Sequence, residues 1–142
     1  MARHGDSLPH ISDAEWLVMR FLWENSPATA GDVVAALEPR TGWNAKTVLT
    51  LINRLVGKGA LGFTKDARIH LYHPKVTERE CVKVETQSFV NRVFGGAVQP
   101  MLAHFVRESA LSDQDIAELR RILDESSAKS GAARPKSRKV RP

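Results

Sequence analysis

Residues 44–59 read Asn-Ala-Lys-Thr-Val-Leu-Thr-Leu-Ile-Asn-Arg-Leu-Val-Gly-Lys-Gly, and this stretch decides the fold. Asn44 suits a helix N-cap, because its side-chain oxygen accepts from an early backbone N–H. Val48, Leu51, Ile52 and Leu55 then recur at i, i+3, i+4 and i+7, and Gly57 and Gly59 supply the stop. With Lys46 set at 0° and about 100° per residue, Asn53, Thr50, Arg54 and Thr47 fall between about −20° and +100°, while the apolar residues cluster between about 140° and 240°. The outward arc holds an amide, two hydroxyls, an ammonium and a guanidinium, and no carboxylate. Such groups donate to phosphates and to base edges without repelling a polyanion.

Upstream, Ser12 with Glu15 forms a capping box, and Ala14, Leu17, Val18, Phe21 and Leu22 recur at helical spacing, which predicts a helix over about 12–24. Asn25-Ser-Pro27 breaks it. Thr29 with Asp32 repeats the capping pattern ahead of Val33, Val34 and Leu37, and Pro39 is expected to end this short second helix. Downstream, from Leu61 to Pro74, the period changes to two around the polar tip Lys65-Asp66-Ala67-Arg68, the pattern of a β-hairpin. Three short helices followed by a hairpin is the order of a winged helix-turn-helix, whose third helix enters the DNA major groove. Lys46, Thr47, Thr50, Asn53 and Arg54 are then the candidate groove contacts, and Lys65 and Arg68 the candidate wing contacts.

After Pro74 the chain turns helical again. Thr77 caps a segment with Val82, Phe89 and Val93 on one face until Gly95-Gly96, a second segment covers about 98–109, and Ser112 with Asp115 caps a third with Ile116, Leu119 and Leu123. These apolar faces have no partner domain in so short a chain, so dimerisation is expected. The fold class is therefore mostly α with a small β-hairpin wing: a winged-helix DNA-binding domain over 1–75, a helical dimerisation domain over 76–127, and a basic tail over 128–142. The tail has almost no large apolar residue and is expected to be disordered, either idle or gripping phosphates without sequence preference.

At 142 residues, 42% hydrophobic and 26% charged, the chain has room for one domain or two small lobes. Its net charge of +5 is unevenly spread. Residues 1–38 carry two basic and six acidic groups, 39–74 six and one, 75–127 seven and nine, and 128–142 six and none. Within the folded part, only 39–74 is basic. The lone Cys81 offers neither an internal disulfide nor a structural zinc site, and it is most simply a small apolar residue. His70 and His73, at i and i+3 in a strand, point to opposite faces, so no metal is expected. Trp16, Trp23 and Trp43 are expected to pack between helices. No phosphate loop or nucleophile motif occurs, so a non-enzyme without cofactor is expected. The apolar runs fall far short of a bilayer span and Met1-Ala-Arg-His-Gly-Asp lacks a signal-peptide core, so a soluble, cytoplasmic protein without membrane insertion is expected.

The segment from Trp43 to Ala60 resembles the recognition helix of the penicillinase and methicillin repressor family. Ile11-Ser-Asp-Ala-Glu-Trp-Leu-Val-Met, Leu22-Trp23, Phe89-Val-Asn-Arg-Val-Phe-Gly-Gly and Leu111-Ser-Asp-Gln-Asp-Ile-Ala-Glu-Leu-Arg carry the resemblance over about residues 11–125. It implies a homodimeric winged-helix repressor, dimerised by the C-terminal helices, each N-terminal module reading half of an inverted repeat in double-stranded operator DNA. Carried across, Lys46, Thr47, Thr50 and Arg54 become groove contacts and Lys65 and Arg68 wing contacts. The family's wing tip usually reads Asp-Gly-Arg, whereas here Ala67 stands in for glycine, so a turn needing φ > 0 there is either strained or of another type. The copper-responsive branch ends in closely spaced cysteines, which this chain lacks. In the antibiotic-responsive branch a membrane-linked sensor protease cuts an Asn-Phe bond in the dimerisation region; the aligned pair is His104-Phe105. The competing reading is a helical protein–protein interaction module whose basic segment is only a solvated face; a steep salt dependence of binding separates the two.

Overall fold

A computed structural model of the chain describes residues 8–108 and 111–133, with side chains to residue 129. The elements run α1 (Asp13–Asn25), α2 (Ala30–Thr41), α3 (Ala45–Lys58), β1 (Leu61–Asp66), β2 (Ile69–Pro74), α4 (Glu78–Phe94), α5 (Val98–Arg107) and α6 (Asp113–Ala133). They fall into two compact units, divided between Phe89 and Val90. Most of α4, residues 78–89, thus falls in the first unit with the winged helix, beyond the expected boundary at residue 75. Two observations explain this: Cys81 is part of the first unit's core, and the indole N–H of Trp23 donates to the Val76 carbonyl at 2.9 Å.

In the first unit each helix starts where its cap dictates. Ser12 and Glu15 exchange hydrogen bonds at α1, as do Thr29 and Asp32 at α2, and Asn44 accepts from the Thr47 N–H at 2.9 Å at α3. Pro39 does not end α2. The helix runs on to Thr41 and stops at Gly42, which takes φ +72° and donates its N–H to the Glu38 carbonyl. The Thr41 hydroxyl donates to the Leu37 carbonyl at 2.8 Å, so the last turn is satisfied even though Pro39 contributes no N–H.

The core forms where the three helices and the hairpin meet, around Val18, Met19, Leu22, Val33, Val48, Ile52, Leu55 and Leu61. On α1, Val18 and Leu22 are fully buried as the spacing predicts, while Ala14, Leu17 and Phe21 pack only partly; Met19 and Glu15 complete the buried side. Strands β1 and β2 pair antiparallel with Leu61 opposite Pro74, Phe63 opposite Tyr72 and Lys65 opposite His70. Tyr72 is the buried residue of β2 and Ile69 is exposed. The phase is fixed by Ala28, whose N–H donates to the Tyr72 carbonyl at 3.1 Å and whose carbonyl accepts from the Tyr72 N–H at 2.8 Å.

In the second unit, the turn between α4 and α5 places Gly95 at φ +60° and Gly96 at φ +90°. None of the residues of α5 is buried, and Val98, Leu102, Phe105 and Val106 are exposed there, as are Ile122 and Leu123 on α6. Ser112 and Asp115 cap α6 reciprocally. That helix continues to Ala133, six residues into the segment expected to be disordered, because Ala128, Lys129, Ala132 and Ala133 favour helix enough to carry the chain past Gly131. Residues 134–142 of the basic tail lie outside the described residues.

Candidate nucleic-acid interface

Helix α3 carries two opposed surfaces. Val48, Leu51, Ile52 and Leu55 are buried, while Lys46, Thr47, Thr50, Asn53 and Arg54 are all exposed. The same cap that starts α3 fixes the first turn, from which Lys46 and Thr47 project. The Thr50 hydroxyl donates to the Lys46 carbonyl at 2.9 Å, so outwardly it offers an acceptor oxygen and a methyl group rather than a free donor. Periodicity alone missed Leu49, which lies off the buried stripe at the edge of this face and is 41% exposed. The signal was present in its spacing, three residues from Lys46 and four from Asn53, but an apolar residue is not sought on a polar arc.

The hairpin tip is a two-residue turn, Ala67-Arg68, between Asp66 and Ile69. Ala67 takes φ +59°, alone among the described residues other than glycine in having positive φ. The wing therefore keeps the left-handed turn conformation and bears the cost of a Cβ in it. Lys65 and Arg68 are exposed beside this turn. Across from Lys65, His70 stacks on Phe63 at 4.6 Å between ring centroids, and its Nδ1 lies 3.4 Å from the Tyr72 hydroxyl. His73 sits opposite Gly62, on the other face of the hairpin, and no group of three metal-ligating side chains occurs among the described residues.

One cation of the basic segment is committed elsewhere. Lys58 Nζ lies 2.5 Å from Glu15 Oε1 and donates to the His10 carbonyl at 2.8 Å. Glu15 is 1% exposed. Burial pushes its carboxyl up, but the Lys58 hydrogen bond, the Ser12 backbone N–H at 2.9 Å and the Lys58 charge together hold it below the usual carboxylate range. Lys58 thus ties the end of α3 to the start of α1.

Trp16 and Trp23 pack edge to face at 5.5 Å, and Trp43 leans on the core. Cys81 is buried beside a cavity of about 130 Å³ that Ile11 and Trp16 also line. Burial and the neighbouring Glu80 push its thiol up to about 11, so it is protonated at neutral pH. His104 and Phe105 both lie exposed in the middle of α5, in the second unit, and the His104 carbonyl accepts from the Glu108 N–H at 2.9 Å. No helix among the described residues is long and apolar enough to cross a membrane.

Residues 11–125 match the family model described as penicillinase repressor. The chain is 36% identical over 118 residues to the penicillinase repressor of Bacillus licheniformis, covering 83% of this chain and 92% of that one. It is 35% identical over 114 residues to the methicillin resistance regulatory protein MecI of Mammaliicoccus sciuri, covering 80% and 93%. Among solved structures, the DNA-binding domain of the repressor BlaI is 37% identical, with a TM-score of 0.48, over 51% of this chain and 89% of that one. The Bacillus licheniformis BlaI monomer, in complex with the blaP half-operator, gives the same identity and coverage with a TM-score of 0.46. On the span of the family model and the identity to these full-length relatives, the chain belongs to the penicillinase repressor family of DNA-binding transcriptional repressors.

Proposed function

We propose that this repressor acts as a homodimer on an inverted-repeat operator, each copy laying α3 in a major groove and its wing on the flanking backbone. The observation that carries the reading is the outward face of α3, where Lys46, Thr47, Thr50, Asn53 and Arg54 stand exposed with no carboxylate among them. Arg54 and Asn53 supply the bidentate groups that distinguish bases, while Lys46, Lys65 and Arg68 neutralise phosphates. The helices that follow the winged helix supply the dimer, since α5 has none of its apolar side chains fully buried. The site of action is the cytoplasm, and no catalysis or cofactor is involved.

Release follows from the same architecture. A cut at His104-Phe105 by a membrane sensor protease divides the apolar side of α5 into two pieces, each too short to hold a partner helix. Operator affinity then falls with the dimer, because the second half-site no longer benefits from linkage to the first.

The test is binding of the full chain to duplexes that it selects from a randomised pool. Thr50→Ala and Arg54→Ala are expected to lower affinity and relax sequence preference, with Arg54 costing about 1–3 kcal/mol. Affinity is expected to fall steeply with salt. Salt-independent binding, or a monomer on the selected duplex by sedimentation, overturns the reading. Co-production with the sensor protease and fragment mapping by mass tests the cut.

A further inference from the structure

Leu49 is the only large apolar side chain exposed on α3 among the described residues, and the core does not need it: Val48, Leu51, Ile52 and Leu55 already fill the buried stripe. On the same angular scale it lies at about −60°, next to Asn53 at about −20°. Ala45, Leu49 and Asn53 form an i, i+4, i+8 row of exposed residues, with neighbouring Cβ atoms about 5–6 Å apart. That spacing is close to one or two base-pair steps of about 3.4 Å. On the helix surface Leu49 has the polar Lys46 and Asn53 on one side and Ala45 and the buried Ile52 on the other. A single apolar group in that setting is too small a patch to dock a protein. It does match the one apolar group on a major-groove base edge, the C5-methyl of thymine, just as the neighbouring Asn53 matches adenine.

We propose that Leu49 is a specificity-determining residue, its isobutyl group packing on a thymine methyl; this rests on α3 lying in the major groove. The adjacent Asn53 places an adenine edge within one or two base pairs of that thymine. The half-site therefore contains a thymine whose methyl, not its hydrogen-bonding edge, is read.

The experiment uses the full chain and a duplex it selects from a randomised pool, with each thymine replaced in turn, in both half-sites, by deoxyuridine. This deletes the methyl and nothing else. At one symmetric position the wild type is expected to lose about fourfold per half-site, the worth of one buried methyl, and so about sixteenfold overall. Leu49→Ala is expected to lose a similar factor on the thymine duplex and almost nothing further on the deoxyuridine duplex, while Leu49→Met keeps the discrimination. Because Leu49 is exposed, circular dichroism and thermal unfolding stay unchanged. A Leu49→Ala variant with the wild-type deoxyuridine profile overturns the proposal. If Thr50→Ala and Arg54→Ala still relax preference in that case, only the role of Leu49 has failed. If they too leave preference unchanged, the placement of α3 has failed and the proposal falls with it.

Discussion

Replacing Lys58 with methionine keeps most of the apolar stem but removes the ammonium against which Glu15 is buried. Glu15 would retain the Ser12 N–H at 2.9 Å while losing its partner at 2.5 Å, and the His10 carbonyl would lose its donor. Breaking a fully buried pair costs about 3–5 kcal/mol; the Lys58 side chain is 32% exposed, so about 2–3 kcal/mol is expected at pH 7.5. The loss depends on pH in a defined direction. In the wild type the Glu15 carboxyl is held below its ordinary range, so its contribution is complete above the unfolded value of about 4.3 and is lost as pH falls through the folded value. In Lys58→Met, burial without the cation raises the folded value, so the mutant is penalised at neutral pH and relieved as the carboxyl takes up a proton. The gap between the two proteins should narrow from pH 7.5 to pH 4. Adding Glu15→Gln to Lys58→Met removes the buried charge, keeps the capping pattern, and should recover most of the loss. Urea unfolding by circular dichroism, at one protein concentration because a dimer's stability depends on it, reads all three variants. A loss below about 1 kcal/mol at pH 7.5, or a gap constant with pH, would refute the assignment of Glu15 and Lys58 as a stabilising pair.

Ala67→Gly relieves the positive φ at the wing tip and should stabilise the protein by about 0.5–1 kcal/mol, net of the added freedom of the unfolded chain, without weakening DNA binding; destabilisation in a urea melt would contradict the turn assignment. Cys81, with its thiol pushed up to about 11, should react with iodoacetamide at pH 7.4 at least about a hundredfold more slowly in the folded chain than in urea. Equal rates would mean that the thiol is neither buried nor raised above its ordinary value.

What could be read from the sequence was what is decided locally. Both capping boxes before the wing involve residues three apart, and the α3 stripe is a matter of spacing within one helix, so these elements and the polar face opposite the stripe were legible. What was missed depends on distant partners. Pro39 sits inside the last turn of α2, which closes through the Gly42 N–H and the Thr41 hydroxyl, and a rule about proline alone does not weigh those partners. The inward phase of β2 is set by Ala28, 44 positions before its partner Tyr72, and local alternation alone does not say which face of the hairpin is inward. Lys58 looked like one more cation of the basic segment until Glu15, 43 positions away, was found against it.

The Lys58–Glu15 pair alters the charge balance of the module. Of the six basic groups in 39–74, Lys58 is neutralised by an acidic residue of the first segment, so the pair adds nothing to either field. What remains is unevenly distributed. Asp13, Glu24, Asp32 and Glu38 outnumber Arg20 and Arg40 among the exposed charges of α1 and α2, while Lys46, Arg54, Lys65 and Arg68 outnumber Asp66 on α3 and the wing. A polyanion approaching such a module is repelled by the first two helices and attracted by the third and the hairpin, so long-range electrostatics selects the docking face before any base is touched. The net charge of the whole chain, +5, is smaller than the +6 carried by residues 128–142 alone and says little about this; the separation of signs between successive helices says more. Orientation is thereby assigned to charge, and sequence reading to the short-range groups of α3, whose acceptor, amide and apolar side chains act only once the helix is seated.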